Sequence, residues 1–376
     1  MRTQTGNAAL IELIRAKIQK RGPVSFAWFM QQALYNPEHG YYSSGRCAIG
    51  RTGDYFTNVS VGPLFGQLLS AQFVEIWKRL GKIDNFVIVE QGAHDGQFAR
   101  DVLEHAQKHM PEFFANLRYR IVEPFPILQE RQSRTLELFR DKVEWRDSLQ
   151  PFLGVHFSNE LLDAMPVRLI SGGMEKLVDL EGEKFVLIER PISQEAAASK
   201  LPRDTAAFNQ PALDWIDSVA ASLQRGYVIA IDYGLLGGEF HPNVQVRAGH
   251  RKLDSPFEQI GYADITMRVD WSSIVERAQA NGLRVAGFTD QHHFLTGIIS
   301  ELNTSGSREA TPGDCDQSSL PDSPKRKRAL QTLLHPEMLG RAFQVLSLKK
   351  NVVPKAPRLA GFKFAREPRN VLRLAR

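Results

Sequence analysis

Residues 86–102, FVIVEQGAHDGQFARDV, constrain the fold more than any other stretch of the chain. Phe86 to Val89 are apolar and read as a buried strand. Glu90 ends that strand, Gly92 and Gly96 bracket a tight turn, and a helical pattern starts at Gln97. An acid, two glycines and a helix N-terminus, in that order, are what a parallel α/β sheet uses to seat a nucleotide-like ligand over its strand ends. The spacing is Glu-x-Gly-x-x-x-Gly, not the Gly-x-Gly-x-x-Gly of dinucleotide binders. It points to S-adenosylmethionine, which has no pyrophosphate needing a glycine-lined cradle.

Strands are expected at 86–90, 119–123, 143–146, 155–158 and 227–232, alternating with helical patterns at 97–109, 126–139 and 212–223. Such alternation implies an α/β fold, a doubly wound and mostly parallel sheet. Two further runs, 284–288 and 343–348, bring the count to seven, the number in the Rossmann-like class I methyltransferase sheet with its late antiparallel strand. Residues 8–35 read as an N-terminal helical region, broken at Gly22-Pro23 and restarted at a Ser25 cap. Short alternating runs at 167–170 and 185–188, around Gly172, Gly173 and Gly182, read as an inserted antiparallel β-ribbon. The expected organisation is a helical and flap region at 1–62 and a cofactor-binding domain at 63–350. Insertions at about 165–200 and 235–270 interrupt that domain, as does a mobile loop at 302–328 ending in the basic run 325–328, read as a solvated turn. A basic tail follows at 351–376.

A net charge of +5 suggests mild attraction to acidic partners, but 42 acidic residues dilute it and no basic stripe is interleaved with aromatics. Nucleic acid is therefore not favoured as a partner. Cys47 and Cys315 stand far apart with no metal-ligand spacing, which fits a reducing compartment. No apolar run reaches the roughly 18–20 residues of a membrane span. The basic N-terminus has the character of an amphipathic presequence, but Leu10, Leu13, Ile14 and Ile18 sit at helical spacing and read as a docked first helix. A cytoplasmic protein is expected, with the mitochondrion the alternative. The sequence sets no oligomeric state.

In an open α/β sheet the ligand crosses the carboxyl ends of the strands. The residues there are Glu90, Gly92 and Gly96 after the first strand, and Glu123 after the second, suited to the ribose hydroxyls. Asp147 follows the third, placed for the adenine amino group; Asn159 and Glu160 end the fourth, and Asp232 and Tyr233 the fifth. Glu90 or Asp147 alone reads more readily as a helix cap or surface charge, and Gly92 alone as a strand exit, so the series carries the inference. Asp264, Thr266 and Asp270 read as a polar turn capping a helix at Trp271, and His292-His293 completes no metal site, so no metal is expected.

Longer motifs make the chain recognisable. They are GPVSFAWFMQQALYNPEHGYY (22–42), GDYFT (53–57), PLFGQ (63–67), SNELLDAMPV (158–167), AIDYG (230–234) and ADITMRVDW (263–271). The chain resembles the MidA family of class I S-adenosylmethionine-dependent enzymes, which includes the mitochondrial complex I assembly-factor protein arginine methyltransferases. The resemblance implies a methyltransferase acting on a protein side chain, with arginine favoured. It departs from the family at His94, where a glycine is usual, and at Asn58-Val59-Ser60, where a proline is usual. His94 either clashes with the methionine moiety, if the backbone there needs positive φ, or lines its pocket. Asp54 and Thr57 are expected on a flap over the cofactor. Glu160 and Asp163, three apart on one helical turn after the fourth strand, are expected to bind the acceptor and take its proton, with Asp232 and Tyr233 as a second wall. A small-molecule O- or N-methyltransferase and a non-catalytic cofactor-binding assembly scaffold are the alternatives, and a nicotinamide dehydrogenase is the competitor at the level of fold.

Overall fold

The computed structural model describes residues 5–47, 57–192, 208–234, 244–306, 323–353 and 357–372. The chain divides into two compact units, each assembled from segments distant in sequence. Met1–Phe56, Leu162–Trp215 and Gly238–Val269 form the first; Thr57–Leu161, Ile216–Gly237 and Asp270–Arg376 form the second.

The second unit carries the seven-stranded sheet. Its strands are β1 (Phe86–Gln91), β2 (Leu117–Val122), β3 (Val143–Arg146), β4 (Phe152–Asn159), β5 (Leu223–Tyr233), β6 (Arg284–Asp290) and β7 (Phe343–Lys350). They lie in the order β6-β7-β5-β4-β1-β2-β3. β3, β2, β1, β4 and β5 run parallel, and β7 enters antiparallel between β5 and β6. The expected α/β architecture is thus the observed one. The order reverses beside β1, at the β1–β4 pair, and this switch point puts the ends of those two strands where a ligand binds.

Buried Val and Ile on both pleat faces explain why the parallel strands read as near-continuous apolar runs. Phe86, Ile88, Tyr119, Ile121, Val155, Phe157, Tyr227 and Ile229 belong to one core cluster with the helices Leu64–Arg79 and Gln97–His109. Val89, Val228, Ala230 and Leu348 point the other way and are equally buried. The segment 357–372, expected as part of a basic tail, inserts Leu359 and Phe362 into the same core; the Gly361 N–H donates to Gln72 Oε1 at 2.9 Å.

In the first unit, Ala8–Arg21 is capped by Asn7, and Phe26–Tyr35 by Ser25 as expected. Leu10, Ile14 and Ile18 are buried, but Leu13 is exposed and Ile11 is buried instead. The inserted ribbon is larger than expected. Met174–Glu181 pairs antiparallel with Leu169–Ser171, with Lys184–Pro191 and with Val24–Ser25, making four strands. A second small sheet joins Arg251–Leu253, Gln245–Ala248 and Asp264–Thr266.

The flanks of the loop expected at 302–328 also differ from expectation. Gln291–Gly306 is one helix, and Pro324–Leu334 is another, capped by Ser323 with Pro324 at its first position. The basic run 325–328 is therefore helical and not a turn, because Ser-Pro is a helix start that outweighs like-charge repulsion among exposed side chains. Residues 307–322 lie outside the described residues.

Candidate active site

The turn after β1 is built by backbone conformation. Gly92, His94 and Gly96 have φ of 81°, 48° and 82°, and the Gly96 N–H closes the turn on the Ala93 carbonyl at 2.8 Å. His94 itself adopts the left-handed conformation that favours glycine, and its carbonyl accepts from Gln132 Nε2 at 3.0 Å. A histidine thus occupies a left-handed position in this turn, with its carbonyl held by Gln132. A Cβ on Gly92 would meet the Leu161 side chain at 3.4 Å.

Glu90 is buried, with 4% exposure. It lies on the same pleat face as Tyr119, whose hydroxyl donates to its Oε2 at 2.6 Å. Burial pushes the Glu90 carboxyl up to about 8; the Tyr119 hydrogen bond opposes that rise and the charge of Asp95 adds to it. Glu90 is therefore mainly neutral at pH 7. Asp101, buried on the helix Gln97–His109, is raised to about 6, again by burial first.

Glu123 follows β2 and is also buried. Its Oε1 accepts the Phe125 N–H at 3.1 Å and its Oε2 accepts Gln132 Nε2 at 3.1 Å, so both oxygens are fixed in direction. Burial holds this carboxyl above the ordinary carboxylate range against the pull of those donors. Gln132 Oε1 in turn accepts the Trp145 indole N–H at 3.0 Å. One fully buried glutamine thus ties the β1 turn, Glu123 and β3 together. Asp147, just past β3, is exposed and accepts from Gln129 Nε2 at 3.3 Å.

At the end of β4, Asn159 Nδ2 donates to Glu160 Oε1 at 2.9 Å, and the Asn58 N–H reaches the same oxygen at 3.3 Å. Glu160 has φ of 54°, and its N–H continues the ladder to the Ile231 carbonyl at 2.9 Å. Asp232, 1% exposed, accepts the Leu161 N–H on Oδ2 at 3.1 Å and the Tyr233 N–H on Oδ1 at 2.8 Å. It pins the β4 loop to β5. Tyr233 packs against Phe343 with the rings tilted by 38° and centroids 4.0 Å apart.

Several expected placements change. No helical turn follows Glu160: residues 160–166 form bends and turns, the Met165 N–H bonds back to the Leu162 carbonyl, and Pro166 cannot extend a helix. Glu160 and Asp163 therefore do not share a helix face. Asp163 lies buried in the first unit, where its carbonyl accepts the Met267 N–H at 2.8 Å. Thr57 lies in the second unit and exchanges hydrogen bonds with Ser60 around the turn Val59–Val61. Asp54 lies outside the described residues. Asp270 caps Trp271–Ala280 as expected, while Asp264 and Thr266 are strand residues and Asp264 accepts the Tyr42 hydroxyl at 2.7 Å. His293 Nδ1 faces Asp290 at 2.6 Å, at the start of a helix.

Neutral and charged carboxyls over the ends of parallel strands, with a glycine turn between β1 and its helix, suit a ligand bearing a ribose and an amino acid. Residues 68–289, more than half of the chain, match a family described as "Putative S-adenosyl-L-methionine-dependent methyltransferase". The chain belongs to this family, the MidA methyltransferases. It is 25% identical to the Drosophila melanogaster "Protein arginine methyltransferase NDUFAF7 homolog, mitochondrial", over 94% of this chain and 87% of that one. The Homo sapiens "Protein arginine methyltransferase NDUFAF7, mitochondrial" is 26% identical over 94% of this chain and 85% of its own length. A crystal structure of a Burkholderia thailandensis superfamily member bound to S-adenosyl-homocysteine is 27% identical and superposes with a TM-score of 0.81, covering 96% of each chain. S-adenosylmethionine is the cofactor of this MidA methyltransferase. No helix among the described residues is long and apolar enough to cross a membrane.

Sequence reasoning missed Tyr119, Gln132 and Asn58. A tyrosine within a buried strand was a signal, since its hydroxyl needs a partner. Gln132 gave none, and Asn58 stood out only as a departure from the resembled family, because their bonds join segments brought together only by the fold.

Proposed function

We propose that this MidA methyltransferase transfers a methyl group to the guanidinium of a protein arginine, with Glu160 holding the acceptor. The carrying observation is the Glu160 carboxylate, held at the end of β4 by Asn159 and the Asn58 N–H beside the cofactor turn. The names of the curated relatives support arginine as the acceptor.

The bound cofactor supplies an electrophilic methyl carbon on a sulfonium. Glu90 and Glu123 are the residues to hold its polar groups: Glu123, with both oxygens oriented, takes the ribose hydroxyls, and Glu90 presents a mainly neutral carboxyl at the turn. Glu160 accepts N–H bonds from the guanidinium and turns one nitrogen towards the methyl carbon. With the cofactor bound, the attacking nitrogen would have to shed a proton, and the Glu160 carboxylate would be the nearby base to take it. Asp232 acts through the backbone, holding Leu161 so that Glu160 stays in place.

The test is transfer from labelled cofactor into protein. Glu160→Gln should abolish labelling while S-adenosylhomocysteine affinity stays within a few-fold. Unchanged turnover in the variant would remove Glu160 from this role. Hydrolysis of the labelled band should yield methylarginine; label on another amino acid, or only on small molecules, would overturn the arginine assignment.

A further inference from the structure

We infer that the basic surface formed by Lys325, Arg326, Arg328 and Lys108 docks an acidic stretch of the protein substrate, near in sequence to the arginine presented to Glu160. This rests on the protein-acceptor reading given above and extends it to the residues that flank the methylated side chain.

The helix Pro324–Leu334 carries four cations in its first five residues and no acid anywhere. Other helices of the same unit pair an arginine with a glutamate one turn away: Arg79 with Glu75, Arg100 with Glu104 and Arg134 with Glu130. No such pair is available here, and cations at a helix N-terminus also oppose the macrodipole. The helix's own stability therefore does not explain the run. Lys325, Lys327 and Arg328 are exposed, and Arg326 is half-buried. The end of a second helix adds to this charge, since Lys108 and His109 close Gln97–His109 and are both exposed. The His105 imidazole, one turn back, is lowered to about 4, by burial first and then by the charges of His109, Arg326 and Lys108. Cations of both helices thus surround one half-buried ring. Among the described residues Lys108, Lys325, Arg326 and Arg328 have no carboxylate partner.

The same helix packs against the turn Val59–Val61 and against Leu64–Arg79, and its Ala329, Leu330 and Leu334 rest on the core that also holds Val59 and Val61. That turn follows Asn58, whose N–H reaches Glu160 Oε1 at 3.3 Å. Eleven helical residues span about 16 Å, so the backbone of the basic run stands within about that distance of the helix's contact with the turn. Extended peptide covers such a span in about five residues. An arginine brought to Glu160 is itself cationic and is repelled by this surface. A carboxylate a few residues along the same substrate cancels that repulsion and is attracted. Charge complementarity of this kind speeds encounter and selects which arginine is presented, more than it adds raw affinity. The helix has no aromatic residue on which a base could stack, which favours carboxylates over nucleic acid as the partner.

The test is the double reversal Lys325→Glu, Arg328→Glu in the full chain. A lysate of the source organism lacking this gene serves as acceptor pool with labelled S-adenosylmethionine. The lysate concentration for half-maximal rate should rise about tenfold, the scale of two exposed attractions turned into repulsions. Maximal rate and S-adenosylhomocysteine affinity should hold within about twofold, because the lost contacts are made with the substrate outside the reacting centre. Raising salt from about 50 to about 200 mM should weaken half-saturation in the wild type and much less in the variant. Poly-L-glutamate should compete with the lysate for the wild type, and about tenfold less well for the variant. The variant should melt no lower than the wild type, since the reversal relieves repulsion at a helix N-terminus. Lys325→Gln with Arg328→Gln should shift half-saturation in the same direction by less, and serves if the reversal does not fold. Equal half-saturation and salt dependence in variant and wild type would overturn the inference, as for a surface already neutralised within the chain. Competition by poly(U) RNA but not by poly-L-glutamate would overturn it in favour of nucleic acid. A matching loss of S-adenosylhomocysteine affinity would also overturn it. Label that reaches only small molecules marks failure of the protein-acceptor reading instead, and absence of any labelling by the wild type overturns both.

Discussion

Glu90→Gln isolates the energetic consequence of the buried acid at the cofactor turn. The carboxyl rises from its ordinary 4.5 to about 8 because burial penalises its charged form. Glutamine keeps the shape and an oxygen for the Tyr119 hydroxyl while removing the titration. For an acid whose folded pKa lies above its unfolded one, the linked stabilisation is fully present below the unfolded value. It falls away as pH climbs and is gone above the folded value. The window here is pH 4.5 to 8. At about 1.4 kcal/mol for each tenfold change in proton affinity, the whole effect is roughly 4–5 kcal/mol, an upper figure for a site that relaxes on ionising. Asp101, raised to about 6, and His156, lowered to about 3 by burial, titrate in both proteins and drop out of the difference. Equilibrium urea unfolding from pH 5 to 9, without cofactor, is the assay. Wild type should lose stability relative to the variant by roughly 4 kcal/mol across that range, levelling off above pH 8. Parallel pH profiles for the two proteins would refute the reasoning, because the wild-type carboxyl would then ionise in the fold as easily as in the unfolded chain.

Two further outcomes follow from the same site. Gly92→Val places a β-branched residue at a φ of 81°, with its Cβ against Leu161, and should cost about 1–2 kcal/mol for the left-handed backbone alone while abolishing S-adenosylhomocysteine binding by calorimetry; retained binding would show that the turn tolerates side chains. Asp232→Asn must turn an NH2 towards one of two backbone N–H donors, so stability should fall by about 1–3 kcal/mol and amide exchange should quicken at Leu161 or Tyr233, with unchanged exchange at both contradicting the pinning role.

The parallel strands were legible because each is a short apolar run bounded by turn residues, and the site acids were legible because they stand where such runs stop. Val24–Ser25 and Asp264–Thr266 were not, since two- and three-residue strands have no period and exist only through partners far away in the chain. The left-handed backbone of Glu160 was hidden too: nothing local demands it, while Pro166 already argued against the helical turn on which the pairing with Asp163 depended. At Ser323-Pro324 a helix start stands at the end of a Ser-, Pro-, Asp- and Gly-rich stretch, whose composition hides it.

The chain passes between its two compact units five times, at residues 56/57, 161/162, 215/216, 237/238 and 269/270. Neither unit can be obtained by cutting at a single point. During synthesis the first unit stays incomplete until Val269 has emerged, and the sheet of the second waits for β7, which covers the open side of β5 and joins β6 to the sheet. Until then β5 presents an open, apolar edge, so folding is governed by late, long-range closure, and nascent or truncated chains should depend on chaperones more than a sequentially built protein of this length.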